Sequence, residues 1–230
     1  MRYRQTLPIG ERHLVGRLES FGDIVVGFSL SQLALQLEIP KTPADVFGHP
    51  LNYFIFFVAF ALLAVFWTRF HRIMAIGFAP RPLDIVLLFG FLAFVALMPY
   101  ALVTYMRLLG HGNTYFYSRE AVALYLGDFL GVAAFSWILS IRGMRRAWSV
   151  LDESERPAAW RPVVAGFVII PAFLIALAGV LASGPWAFML LVLIGPITRM
   201  AVARIPSPPR YLLGPQPPGR TGTLEPEGVS

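Results

Sequence analysis

Six stretches of about twenty mostly apolar residues recur along this chain, each long enough to cross a hydrocarbon core about 30 Å thick. They run Leu18–Ile39, Leu51–Phe70, Leu83–Met106, Ala121–Ile141, Val163–Ala182 and Trp186–Ala203. In lipid such a stretch has to be an α-helix, because its backbone N–H and C=O groups find no water to bond with. Composition agrees: 57% of the 230 residues are hydrophobic and only 14% charged, against about 25% in a soluble domain. The reading is an all-α integral membrane protein of six helices. Residues 1–17 form a polar N-terminal segment, too long in its polarity for a secretory signal. Residues 18–204 form the membrane domain, and residues 205–230, rich in Pro and Gly, form a disordered tail. Pro171 inside the fifth stretch predicts a kink there.

Charge supplies an independent reading. With the N-terminus in the cytoplasm and six crossings, only Lys41, Arg107 and Arg119 lie outside, against sixteen of the nineteen basic residues inside. That asymmetry is the positive-inside pattern, and it places both termini in the cytoplasm. It also accounts for the net charge of +6 without a nucleic-acid partner. The tryptophans Trp67, Trp137, Trp148, Trp160 and Trp186, with Tyr105, are expected near span ends, where amphipathic rings favour the interface. The chain has no cysteine, which excludes disulfides, thiolate metal sites and thiol chemistry. His13, His49 and His111 stand apart from any second ligand, so no metal and no cofactor is expected. No nucleophile elbow, phosphate loop or HExxH pattern occurs, which argues against an enzyme.

The first stretch is the unusual one. It carries Asp23, Gln32 and Gln36 among its apolar residues. At 100° per residue, Ile24, Phe28, Gln32, Leu35 and Ile39 share one face, with Asp23, Gly27, Leu30 and Ala34 nearly opposite. A smaller stripe holds Gly22, Ser29, Gln32 and Gln36. A carboxylate in a membrane helix costs about 2.5–3.5 kcal/mol at mid-depth and normally finds a partner. Trp67, Arg69 and His71, at the cytoplasmic end of the second helix, lie at the depth of Asp23. A contact from Asp23 to His71 or Arg69 would tie the first helix to the second.

These residues resemble the transmembrane protein 175 family of endolysosomal and bacterial potassium channels. Its first helix opens with Arg-x-x-x-Phe-Ser-Asp, and "RLESFGD" sets Arg17, Phe21 and Asp23 at those spacings with Gly22 in place of the serine. Its second helix ends in a tryptophan followed by two histidines at the third and fourth positions. "WTRFH" keeps Trp67 and His71, with Phe70 for the first histidine. The third stretch, with a proline in its outer half, is also similar, and the likeness covers most of residues 12–204. The resemblance implies a homotetramer of six-helix subunits in a plasma or inner membrane, conducting monovalent cations, potassium first among them. The first helices would line the pore, and rings of bulky side chains would form its constriction. That constriction maps to Phe28, where the family has an isoleucine-type residue, then Gln32 in place of a leucine type, then Leu35. Arg17, Phe21, Asp23, Trp67 and His71 would be the helix-locking residues.

Asp128, in "LYLGDFLG" of the fourth stretch, is a candidate intramembrane carboxylate site or a buried packing residue. Gly127 and Gly131 around it form a G-x-x-x-G that allows close helix approach. Two other functions stay open: a non-conducting membrane scaffold with the channel fold, and a proton-coupled carrier using Asp23 or Asp128.

Overall fold

The computed structural model describes residues 2–35, 37, 50–110, 119–183, 194–205 and 208. Every element among them is an α-helix: α1 (Arg2–Thr6), α2 (Ile9–Ala34), α3 (Pro50–Ile76), α4 (Pro82–Gly110), α5 (Arg119–Ala147), α6 (Arg156–Ser183) and α7 (Ile194–Arg204). Four of them are long and apolar enough to cross a membrane, over Asn52–Ile76, Pro82–Tyr105, Arg119–Ala147 and Arg156–Ser183. At 26 residues, α2 is about 39 Å long, but Glu11, Arg12, Arg17, Glu19 and Asp23 keep it more polar than those four. It begins nine residues ahead of the expected first span, so most of the polar N-terminal segment is helical. Of the expected sixth span, α7 is the described part. Gln36, Ile39, His49, His111, Trp186 and nearly all of the tail lie outside the described residues.

α4 is the hub. It packs against α5, α2 and α3, while α5 also packs against α6 and α3, and α7 lies on α6. One side of α4, through Leu88, Phe91, Leu92, Val95 and Met98, meets Val15, Leu18 and Val26 of α2 and Leu63, Phe66 and Phe70 of α3 in the main apolar core. A smaller cluster of Leu33, Ile55, Ala59, Leu102 and Val103 closes the other end of the α2–α3–α4 contact. Large side chains elsewhere on α3, such as Phe54, Phe57 and Phe60, are exposed in the single chain. This inversion of the soluble pattern is what lipid or a neighbouring subunit makes favourable.

α4 runs unbroken through Pro99, and α6 through Pro162 and Pro171. The Trp137 indole Nε1 donates to the Val163 carbonyl of α6 at 2.9 Å, tying α5 to α6. Of the G-x-x-x-G pair, only Gly131 takes a neighbour. A Cβ there would come within 2.5 Å of the Phe94 ring, whereas one on Gly127 would meet nothing within 4 Å. Gly131 therefore seats an aromatic ring of α4 rather than a second helix backbone.

Candidate functional site

α2 has two unlike faces. Its buried residues, Val15, Leu18, Gly22, Val26, Ser29 and Leu33, follow one another at intervals of three and four, the spacing of a single seam along a helix. That seam faces α3 and α4. The opposite face is uncovered. Ile24, Phe28, Gln32 and Leu35 are all exposed, Phe28 at 63% and Leu35 at 78%. Arg17 and Phe21 continue the band toward the N-terminus, and Phe21 rests edge-on against Phe89 at 5.4 Å between ring centres. Leu35 is the residue that caps the helix rather than part of it. The band is wider than the wheel suggests, since Asp23, Gly27 and Ala34 are exposed as well. The small stripe divides: Gly22 and Ser29 are buried and Gln32 is not.

The hydroxyls of α2 are used up within the helix. Ser20 donates to the Gly16 carbonyl, Ser29 to Val25 and Ser31 to Gly27, at 3.1, 2.8 and 3.0 Å. Such back-bonding removes them from contacts with neighbours. From Leu18 onward, the polar side chains of α2 left for other contacts are therefore Glu19, Asp23 and Gln32.

Glu19 and Asp23, one turn apart, are gathered by one histidine. His71 Nε2 lies 3.0 Å from Asp23 Oδ1, and its Nδ1 lies 3.1 Å from Glu19 Oε1. Trp67 Nε1 donates to the same Asp23 oxygen at 2.8 Å, and the Arg4 guanidinium of α1 donates to Glu19 Oε2 at 3.0 Å. Trp67 and His71 can act together because they sit four residues apart on α3, with their rings edge to face at 4.5 Å. Both ring nitrogens of His71 face carboxylates, so the histidine bridges two residues of α2 to one position of α3. Arg69 is absent from this cluster; it points to the other side of α3 and lines a cavity with α6 and α7.

Beside the cluster, the two departures from the family pattern touch each other. A Cβ on Gly22 would overlap the tip of the Phe70 ring. Phe70 is fully buried and stacked on Phe91, with ring centres 6.5 Å apart and planes 9° from parallel. The space left by the missing serine side chain is occupied by the phenyl ring that stands in for a histidine. α2 approaches α3 closely there, with no side chain at position 22.

Two further carboxylates are buried. Asp84, in the first turn of α4, is fully enclosed and accepts from Arg142 Nε and Arg146 Nη2 of α5, each at 2.5 Å. Nothing in the local sequence singles it out; the available signal is an acid opening an apolar helix opposite one that closes with several arginines. Asp128 is 2% exposed, and neither of its oxygens has a hydrogen-bond partner among the described residues. It lies on α5, whose main neighbours are α4, α6 and α3, away from the exposed band of α2. Among the described residues no group of three metal-ligating side chains occurs.

Residues 17–99 match the family model described as the endosomal/lysosomal potassium channel TMEM175. The fold matches the crystal structure of a variant of the potassium channel MtTMEM175 in complex with a nanobody–MBP fusion protein. That match has a TM-score of 0.65 at 20% identity and covers 82% of this chain and 92% of the other. At this identity the likeness shows a shared fold. No curated protein matches the chain.

Proposed function

We infer that this chain, whose residues 17–99 match the TMEM175 family model, is a cation channel with a pore lined by α2 from several copies of the subunit. One observation carries the reading: the exposed band of Ile24, Phe28, Gln32 and Leu35 lies on the side of α2 turned away from its own subunit. The buried seam and the His71 cluster hold the other side. A helix that presents phenyl, isoleucine and amide side chains away from its bundle suits a shared axis better than lipid, because Gln32 would be left there without partners. Phe28 then forms the narrowest ring, Gln32 a wetter layer beyond it, and Leu35 an outer collar. The family favours potassium as the ion and four copies as the assembly.

The orientation follows from charge. Arg69 and Arg72 near the end of α3, Arg142, Arg145 and Arg146 near the end of α5, and Arg156 and Arg161 at the start of α6 gather at one end of the bundle. By the positive-inside rule that end faces the cytoplasm. Six crossings with both termini inside then require α2 and the segment ending in α7 to complete the set.

Purified protein in planar bilayers is expected to carry cation currents, larger in Phe28→Ala. Flat traces from both proteins would remove the channel reading and leave the scaffold. The carrier reading draws on Asp128, a buried carboxylate without a partner among the described residues. With Asp128 as its site it requires saturable transport that stops in Asp128→Asn, so transport persisting in that variant removes Asp128 from the mechanism and leaves Asp23.

A further inference from the structure

A cavity of about 850 Å³ opens between α3, α6 and α7, and four arginines from those three helices line it: Arg69, Arg72, Arg161 and Arg199. No carboxylate is among its lining residues. None of the four arginines forms an ion pair among the described residues, in contrast to Arg142 and Arg146, which share Asp84, and Arg4, which meets Glu19. Two atoms at the cavity wall, Arg69 Nε and Thr198 Oγ1, are buried with no hydrogen-bond partner among the described residues. These two buried groups, beside the exposed guanidiniums of Arg72, Arg161 and Arg199, call for an acceptor from outside.

The walls are held in place. Trp160 Nε1 donates to the Ile205 carbonyl at 2.8 Å, fastening the end of α7 to α6, while Ala201 and Val202 pack on the apolar cluster of Met144, Trp160 and Val163. Arg69, Arg72 and Pro162 also line a second cavity of about 310 Å³, mostly apolar, walled by Val65, Ile73, Ile76 and Leu139. Both cavities have mostly apolar walls, and Arg69 and Arg72 stand on the side they share.

We propose that this junction binds an anionic phospholipid, with its phosphate among the four guanidiniums and an acyl chain in the adjoining apolar cavity. Guanidinium groups match phosphate oxygens bidentately. Basic pockets between membrane helices at the cytoplasmic surface are suited to lipid headgroups. A free phosphate would satisfy the arginines but leave the apolar chamber unexplained; a phospholipid accounts for both. The assignment does not depend on whether the protein conducts.

Native mass spectrometry of the full-length protein, equilibrated in detergent with phosphatidylglycerol or phosphatidylcholine of the same acyl chains, tests it without measuring currents. Phosphatidylglycerol is expected to be retained and phosphatidylcholine lost. Arg69→Gln and Arg199→Gln should each weaken that retention about fivefold, and Arg145→Gln, exposed on α5 outside the cavity, by less than about twofold. Equal retention of the two lipids, or an equal loss in Arg145→Gln, overturns the proposal. Displacement of phosphatidylglycerol by millimolar inorganic phosphate would assign the site to a free anion and overturn the lipid. Should Arg69→Gln fail to fold, Arg161→Gln and Arg199→Gln, both at exposed positions, carry the same test.

Discussion

Two clusters of charge near the arginine-rich end of the bundle are built on opposite terms. At the α4–α5 contact, Asp84 is wholly enclosed and shared by two guanidiniums, themselves mostly covered. At the α2–α3 contact, His71 stands between two carboxylates in a site open enough that Asp23 is 47% exposed. In the first cluster the shared carboxylate itself has no water to fall back on. If a guanidinium is removed, Asp84 loses a partner in a place that cannot solvate its charge. The second can exchange each lost contact for water at modest cost. One joins the two helices of the most extensive contact among the described residues. The other holds α2, whose opposite face is left bare, so α2 is anchored at one end by contacts that solvent can replace.

The largest effect is expected at the enclosed cluster. Asp84→Asn should cost about 3–5 kcal/mol, since it leaves Arg142 and Arg146 uncompensated. Denaturation of the purified protein in detergent reads this, and a loss no greater than that of His71→Ala would end the contrast. Next comes the seam itself. Gly22→Leu drives a side chain into the Phe70 ring and should cost about 1–3 kcal/mol. Gly22→Ser with Phe70→His should be more stable than the sum of its single variants by about 0.5–3 kcal/mol, the coupling expected of residues in contact. Strict additivity would show that the two departures are unrelated.

The open cluster should respond less. His71→Ala is expected to cost about 1 kcal/mol, and Arg4→Ala, with a partly exposed ion pair, less than about 1 kcal/mol. A larger loss in either would mean that the cluster is closed off in the assembled protein. Smallest of all in stability should be Phe28→Ala, within about 0.5 kcal/mol because its side chain projects away from its own subunit. Its effect belongs to the currents instead. A marked loss of stability on deleting that ring would show that Phe28 packs against something essential in the assembly.

Much of the architecture was readable before any coordinates. A membrane leaves a long apolar stretch almost no alternative to a helix, so α3 to α6 coincide with stretches marked by composition alone. Asp23 in an otherwise apolar helix demanded a partner, and its depth pointed to Trp67, Arg69 and His71. Which of the three would meet it was beyond sequence, because neighbouring residues on one helix can face opposite ways. Arg69 went to the α6–α7 side, and Glu19 joined the cluster unannounced. Asp84 was invisible for a related reason: its partners lie 58 and 62 residues away, and a lone acid at a helix start reads as a favourable helix terminus.

The sequence by itself determined that this chain is a set of helices made for lipid, and that its first long helix has a phenylalanine–glutamine–leucine side. Both follow from local physics, the cost of unpaired backbone in hydrocarbon and the 100° step between residues. Only the tertiary structure decided which side of that helix is covered. It did so by seating Phe70 on Gly22 and drawing Glu19 and Asp23 onto His71, contacts between residues about fifty positions apart. Packing of that kind depends on the shapes of two surfaces at once, and no single stretch of sequence contains both.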